Sequence, residues 1–200
     1  MALYNPIPMM TLFFWVTIIA QILATISIIF SILFPAHRIW PPDKSPSWKL
    51  YFMWFLFDIS TIGIVVVGIL DRGSLALPPW MQIVLGVPLS LGGIGFSLWS
   101  IIILGPSSTY GNEGTLVLHG PYHISRNPQY VGFIVALIGW SIVTSSWTTI
   151  LAILVWIVPL VLIPLAEEPW LLKKHGSEYE EYLRKVPRFV SLKKSKQSPL

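Results

Sequence analysis

A chain of 200 residues that is 54% hydrophobic and 11% charged is not a water-soluble domain, which carries roughly 25% charged residues. Its mean hydropathy of +0.70 and ten tryptophans point the same way, and they exclude a soluble enzyme, a disordered tail or a nucleic-acid-binding module. No cysteine is present, which removes a disulfide framework, a thiolate metal site and a cysteine nucleophile.

A bilayer core of about 30 Å takes about 20 helical residues to cross. Residues 10–34 carry no charge, only scattered Thr and Ser with Gln21. They exceed a signal-peptide core and no basic segment precedes them, so a retained first span ending at Pro35 is expected. Residues 48–70, interrupted only by Asp58, give the second span and residues 80–104 the third. The third has small residues at four-residue spacing, Gly86 with Ser90 and Gly93 with Ser97, which lets helix backbones approach closely. Residues 129–166 run 38 positions without a charge. One helix of that length would measure about 57 Å, far more than a single crossing. Thr144, Ser145 and Ser146 supply the break, giving a tight antiparallel pair at 129–143 and 147–166, the second arm bent by Pro159 and Pro164. The chain therefore reads as a single all-α membrane domain over residues 1–200, with five transmembrane helices.

The charges orient it. With five spans, Arg38, Lys44, Lys49, Arg126 and the eight basic residues from Lys173 to Lys196 share one side, and Arg72 stands alone on the other. Positive short segments stay cytoplasmic. The N-terminus is then outside, and segments 105–128 and 167–190 face the cytoplasm, followed by a frayed basic tail at 191–200. Those two segments hold most of the polar side chains: Glu113, His119, Tyr122, His123, Arg126, Asn127, Glu167, Glu168, Tyr179, Tyr182 and Arg188. The hairpin brings Arg126 to Tyr130 and the Glu167–Glu168 pair to the same membrane surface, which marks a site.

Beyond the fifth span, His175-Gly176 is a C-cap signal, and Ser177 with Glu180 reads as a capping box opening another helix. Tyr179, Tyr182, Leu183 and Val186 fall on one face of it before Pro187 stops it. Such a helix can lie on lipid or fold over the site; we expect the second, because the apolar stripe must bury somewhere and the site lies beside it.

Each candidate has a plainer role. Arg126 fits a positive-inside anchor, and Tyr122 and Tyr130 fit interfacial belt aromatics. His119 and His123 have metal-ligand spacing, but Gly120-Pro121 between them opposes a regular helix, and no metal site is assigned. Glu113 fits a turn. Asp58 is expected to face an internal partner, since an ionisable group inside a span is costly; structural and functional roles stand level for it. Adjacent Glu167 and Glu168 do not share a helix face and do not make an acid/base pair.

The ordered pieces Gly120-Pro121-Tyr122, Arg126-Asn127-Pro128-Gln129-Tyr130-Val131-Gly132, Glu167-Glu168, His175 to Tyr182 and Val186-Pro187-Arg188-Phe189 resemble the isoprenylcysteine carboxyl methyltransferases. Related phospholipid methyltransferases share parts of the pattern. The resemblance spans roughly residues 105–190 and implies a multi-pass enzyme using S-adenosylmethionine at the cytoplasmic face. It places cofactor contacts on Gly114, Thr115, Leu116, Val117, Tyr122, Asn127, Pro128, Gln129, Tyr130 and Glu167, and it leaves Arg126, Glu168 and Arg188 as catalytic candidates. Glu167 is expected to matter most for cofactor affinity and Glu168 less. Two positions depart from the family. Asn127 stands where His is common, keeping a donor and an acceptor, and Ile163 stands where eukaryotic prenylcysteine enzymes carry a substrate-binding Arg.

The reaction implied is direct in-line methyl transfer to a lipophilic acceptor arriving from the bilayer, foremost the carboxylate of a C-terminal isoprenylcysteine or a similar small lipid-like molecule. Phospholipid N-methylation is the alternative within the family. An NADPH-dependent sterol or isoprenoid reductase shares parts of the Arg-x-Pro-x-Tyr pattern, but it needs more basic residues for its cofactor than Arg126 and Arg188. A non-enzymatic membrane scaffold would bind neither cofactor. No nucleic-acid or metal partner is expected.

Overall fold

The computed structural model describes residues 6–43, 46–105, 108 and 115–190. Gly114, Glu113, Lys44 and the 191–200 tail lie outside the described residues. Six helices of more than one turn are described, in chain order: α1 (Pro6–Leu33), α2 (Trp48–Leu70), α3 (Pro79–Leu104), α4 (Pro128–Thr144), α5 (Trp147–His175) and α6 (Ser177–Lys185). Single 3-10 turns stand at Pro35–His37 and Gly120–His123, and no strand occurs among the described residues. α3 widens to a π-helix over Gln82–Gly86, just ahead of Pro88. Local chemistry sets the ends. Ser47 Oγ accepts from Leu50 N at 3.4 Å to open α2, and Ser146 Oγ accepts from Thr149 N at 3.1 Å to open α5. Ser145 and Gly105, both at positive φ, close α4 and α3.

The described residues include four helices, α1, α2, α3 and α5, long and apolar enough to cross a bilayer, so the chain is a multi-pass membrane protein. α4 has 17 residues, about 25 Å of helix. Its two ends nevertheless sit at opposite faces of the bundle. At its end, the 144–148 connection is laced to the 71–77 connection. Gly73 N donates to Thr144 O at 2.9 Å, Leu75 N to Ser145 O at 2.8 Å and Leu77 N to Ser145 Oγ at 2.8 Å. Asp71 Oδ2 accepts from the hydroxyls of Ser74, Ser146 and Thr148, each at 2.7 Å, and from Thr148 N at 3.1 Å.

α1, α2 and α5 enclose the core, where Ile28, Ile64, Val67, Trp156 and Leu160 are fully buried. α3 stands to one side and packs chiefly on α4 through small residues, with the Gly120–His123 turn against its end. A Cβ added to Gly93 would collide with the backbone of Ala136, one on Gly139 with Ser90, and one on Gly132 with Ser97 N at 2.6 Å. The expected close approach at Gly86, Ser90, Gly93 and Ser97 is therefore realised, and Ser97 Oγ adds a bond to Gln129 O at 3.0 Å.

Two expectations are corrected. Asp58 faces outward from α2, not toward an internal partner. The inward face of α2 is taken by Leu56, Ser60, Gly63, Ile64, Val67 and Gly68, packed so closely that a Cβ on Gly63 would strike Thr17. No room is left for a carboxyl there. An acidic group at the bilayer centre costs about 2.5–3.5 kcal/mol on insertion scales. The second correction is that Ser177 does not cap α6. Gly176, at φ 57, is the cap: its N–H bonds Leu172 O at 2.9 Å and its carbonyl accepts from Glu180 N at 3.1 Å. The chain turns from α5 into α6 within one residue, which puts Ser177 inside the helix.

Candidate active site

At about 1.5 Å per residue, Glu167 lies about 30 Å from the start of α5, one bilayer thickness away. That length explains why a carboxylate occurs here and nowhere earlier in the helix. Beside it lies a cavity of about 430 Å³, walled by α2, α3, α4, α5, α6 and residues 115–117. Its lining is mixed: Arg126, Asn127, Gln129, Tyr130, Glu167 and Glu168 are polar, and Met53, Phe57, Ile94, Leu98, Phe133 and Ile163 are apolar.

Glu167 is held by two elements. Trp40 Nε1 donates to its Oε1 at 2.7 Å, and Tyr130 OH donates to the same oxygen at 3.4 Å. The structure records no bond to Oε2 from a described residue. Trp40 comes from the connection between α1 and α2, which is pinned in turn. Arg38 pairs with Asp43 at 2.7 Å and donates from Nε to Pro41 O at 2.8 Å, while Lys49 Nζ donates to Arg38 O at 2.7 Å.

Glu168 has a different task. Arg188 grips it with a two-point fork, Nε to Oε1 at 2.8 Å and Nη2 to Oε2 at 2.6 Å, and this bonding raises the Arg188 guanidinium above its ordinary pKa. Arg126 Nη1 lies 2.9 Å from Oε1, an ion pair without hydrogen-bond alignment. The Arg126 side chain is 11% exposed, and its buried Nε and Nη1 have no hydrogen-bond acceptor among the described residues.

The C-terminal segment is bolted onto this centre. Tyr182 OH donates to Tyr122 O at 2.7 Å, Arg126 N to Pro187 O at 2.9 Å, and Asn127 Nδ2 to Arg188 O at 3.0 Å. Tyr179 and Tyr182 are buried, so α6 rests on the site and not on lipid. Tyr122 OH donates to Gln129 Oε1 at 2.9 Å. Burial first, then Tyr182 and Glu167 nearby, push the Tyr122 phenol well above its ordinary value and keep it a donor.

Of the residues singled out from the sequence, Thr115, Leu116, Val117, Tyr122, Arg126, Asn127, Gln129, Tyr130, Glu167 and Glu168 all line the one cavity. Pro128 does not: it is fully buried at the first turn of α4, where its fixed φ starts the helix. Arg188 reaches the site through Glu168. His123 Nδ1 meets Gly120 O within its own turn. Trp40 was not anticipated, although Trp40-Pro41-Pro42 lies in a connection on the same face as the site, the only signal available for it.

Residues 81–178 match the phospholipid methyltransferase family, in line with the resemblance carried by the motifs. The matched stretch is just under half of the chain. It takes in α4, α5 and nearly all of α3, but not α1, α2, Trp40 or Arg188. No curated protein and no solved structure matches the chain.

Proposed function

We propose that this protein transfers a methyl group from S-adenosylmethionine to a lipophilic acceptor that reaches the cavity from the bilayer. The observation that carries the reading is one cavity that holds both Glu167, whose Oε2 has no bond from a described residue, and the Arg126 guanidinium, which Glu168 balances without hydrogen-bond alignment. They are complementary to the ammonium and carboxylate of an amino-acid moiety, and Gln129, Asn127 and residues 115–117 offer amide groups for the rest of the cofactor. When bound, S-adenosylmethionine supplies a methyl group activated on a positive sulfonium. Glu167 holds and orients by a charge-assisted bond, and Trp40 and Tyr130 keep it in place. The apolar lining residues, Met53, Phe57 and Phe133 among them, take the acceptor's hydrocarbon and keep water out. Alignment of donor and acceptor at about 3–3.5 Å is the main task left to the protein.

The acceptor carboxylate of an isoprenylcysteine, with a reference pKa of about 3.5, is ionised at neutral pH and needs no general base. Phospholipid N-methylation is the second reading. Two observations favour it: the family match, and Ile163 lining the cavity in place of a cation. We further propose that all five helices α1–α5 cross the membrane, because α4 joins the two faces of the bundle. The basic face that carries the site is then cytoplasmic and the N-terminus outside.

The test is mass spectrometry of small molecules retained by the detergent-extracted protein, followed by labelled-methyl transfer to farnesylcysteine and to phosphatidylethanolamine vesicles. Bound adenosylmethionine or adenosylhomocysteine is expected, with label on one acceptor. A protein that binds neither compound overturns the reading.

A further inference from the structure

The outward stripe of α2 is Tyr51, Phe55, Asp58, Ile62, Val65 and Ile69, all exposed, with Trp48 at the membrane edge. The steps alternate four and three residues, the spacing that keeps one face turned to a neighbouring helix. Asp58 sits in the middle of it. It lies about 15 Å along the helix from Trp48 and about 18 Å from Leu70, so its short side chain cannot reach either membrane surface. Within the described span helices it is the one charged residue between Lys49 and Glu167. It has no hydrogen bond or ion pair to any described residue.

We propose that this stripe is a self-association surface, on which Asp58 meets Asp58 of a second copy. Copies inserted with the same topology carry parallel α2 helices. A two-fold axis along the membrane normal then sets each residue opposite its own counterpart at the same depth. The requirement at this depth is a partner that both donates and accepts, and a second carboxylic acid does both, since two carboxyls pair reciprocally. Ahead of Glu167, no other acid, Lys or Arg stands among the described residues of α1, α3, α4 and α5 to serve in its place. The aromatic and β-branched neighbours above and below the acid fill the remainder of the seam.

The absence of native cysteine makes the test direct. Full-length protein carrying Phe55→Cys or Ile62→Cys is placed in phosphatidylcholine vesicles and oxidised. Ile22→Cys on α1 and Leu91→Cys on α3, both lipid-facing, serve as controls. Disulfide-linked dimer is expected at least about tenfold faster at 55 and 62 than at the controls. Energy transfer between labelled copies is then compared in the parent and in Asp58→Leu. That variant puts an apolar residue on a lipid-facing position and keeps the bundle intact, which its melting temperature verifies. Weaker self-association, by about tenfold in dissociation constant, is expected for Asp58→Leu, given interhelical hydrogen bonds of this kind. Equal cross-linking at all four positions, a monomeric parent, or undiminished association of Asp58→Leu each overturns the proposal.

Discussion

Neighbouring carboxylates at the end of α5 do unlike work, and the contrast is set by what each touches. Glu167 receives an indole N–H and a phenol on one oxygen, whereas both oxygens of Glu168 are taken by guanidinium groups. Trp40→Phe removes the shorter bond to Glu167 and keeps most of the ring. A net hydrogen bond to a charged group is worth about 1.5–3 kcal/mol, and Tyr130 remains. Adenosylhomocysteine affinity in Trp40→Phe, measured calorimetrically, is therefore expected to fall about three- to tenfold with melting temperature little changed. Glu168→Gln is expected to do more to stability. It leaves Arg126, 11% exposed, beside a neutral amide, and breaking a pair of this kind costs about 3 kcal/mol. A lower melting temperature and faster proteolysis after Arg184 or Lys185 would register it. The sequence made Glu167 and Arg126 visible because charges are scarce in an apolar chain. It could not reveal Trp40, since the loop carrying it is placed by tertiary contacts from Arg38, Asp43 and Lys49.

Among the long apolar helices, α3 rests mainly on one neighbour, and its seam with α4 depends on missing side chains. Gly93→Leu would drive a side chain into the Ala136 and Gly132 backbones, while Gly92, one residue away, has nothing within 4 Å of an added Cβ. Gly93→Leu is expected to lose folded protein on extraction, and Gly92→Ala to melt like the parent. The seam was legible from Gly86, Ser90, Gly93 and Ser97, because four-residue spacing of small side chains has one physical use. The break at residues 144–146 was legible too, from the length of the uncharged run. What tied that break to the 71–77 connection was not: Asp71 reads as an ordinary loop acid until its four donors are seen. Burial opposes its charge, but the hydroxyls of Ser146, Thr148 and Ser74 outweigh it and hold the Asp71 carboxyl below its ordinary 3.8. A depressed value stabilises the fold above the unfolded pKa and loses that contribution as pH falls through the folded one. The melting-temperature gap between parent and Asp71→Asn should then be constant near neutrality and close as the pH drops below about 3.8.

Over the whole molecule, the site is assembled from stretches far apart in sequence: Trp40, residues 115–130, Glu167 with Glu168, and Tyr179 to Arg188. Only the middle of this set lies within residues 81–178, so the family-matched portion does not by itself complete the site. The C-terminal segment closes it by backbone bonds as well as side chains: Arg126 N to Pro187 O, Asn127 Nδ2 to Arg188 O and Tyr182 OH to Tyr122 O. None of these helps a span cross the bilayer, since α1–α5 bury their core at Ile28, Ile64 and Trp156 without α6. Removal of residues 177–200 is therefore expected to leave insertion and extraction intact. Cofactor affinity should nonetheless fall more than tenfold, because Arg126, Asn127 and the Tyr122 carbonyl all lose partners, at about 1 kcal/mol per hydrogen bond. Titration of adenosylhomocysteine into parent and truncated protein, each checked for monodispersity, decides it. Equal affinity would mean that α6 merely rests against the site and that the α1–α5 bundle suffices for binding.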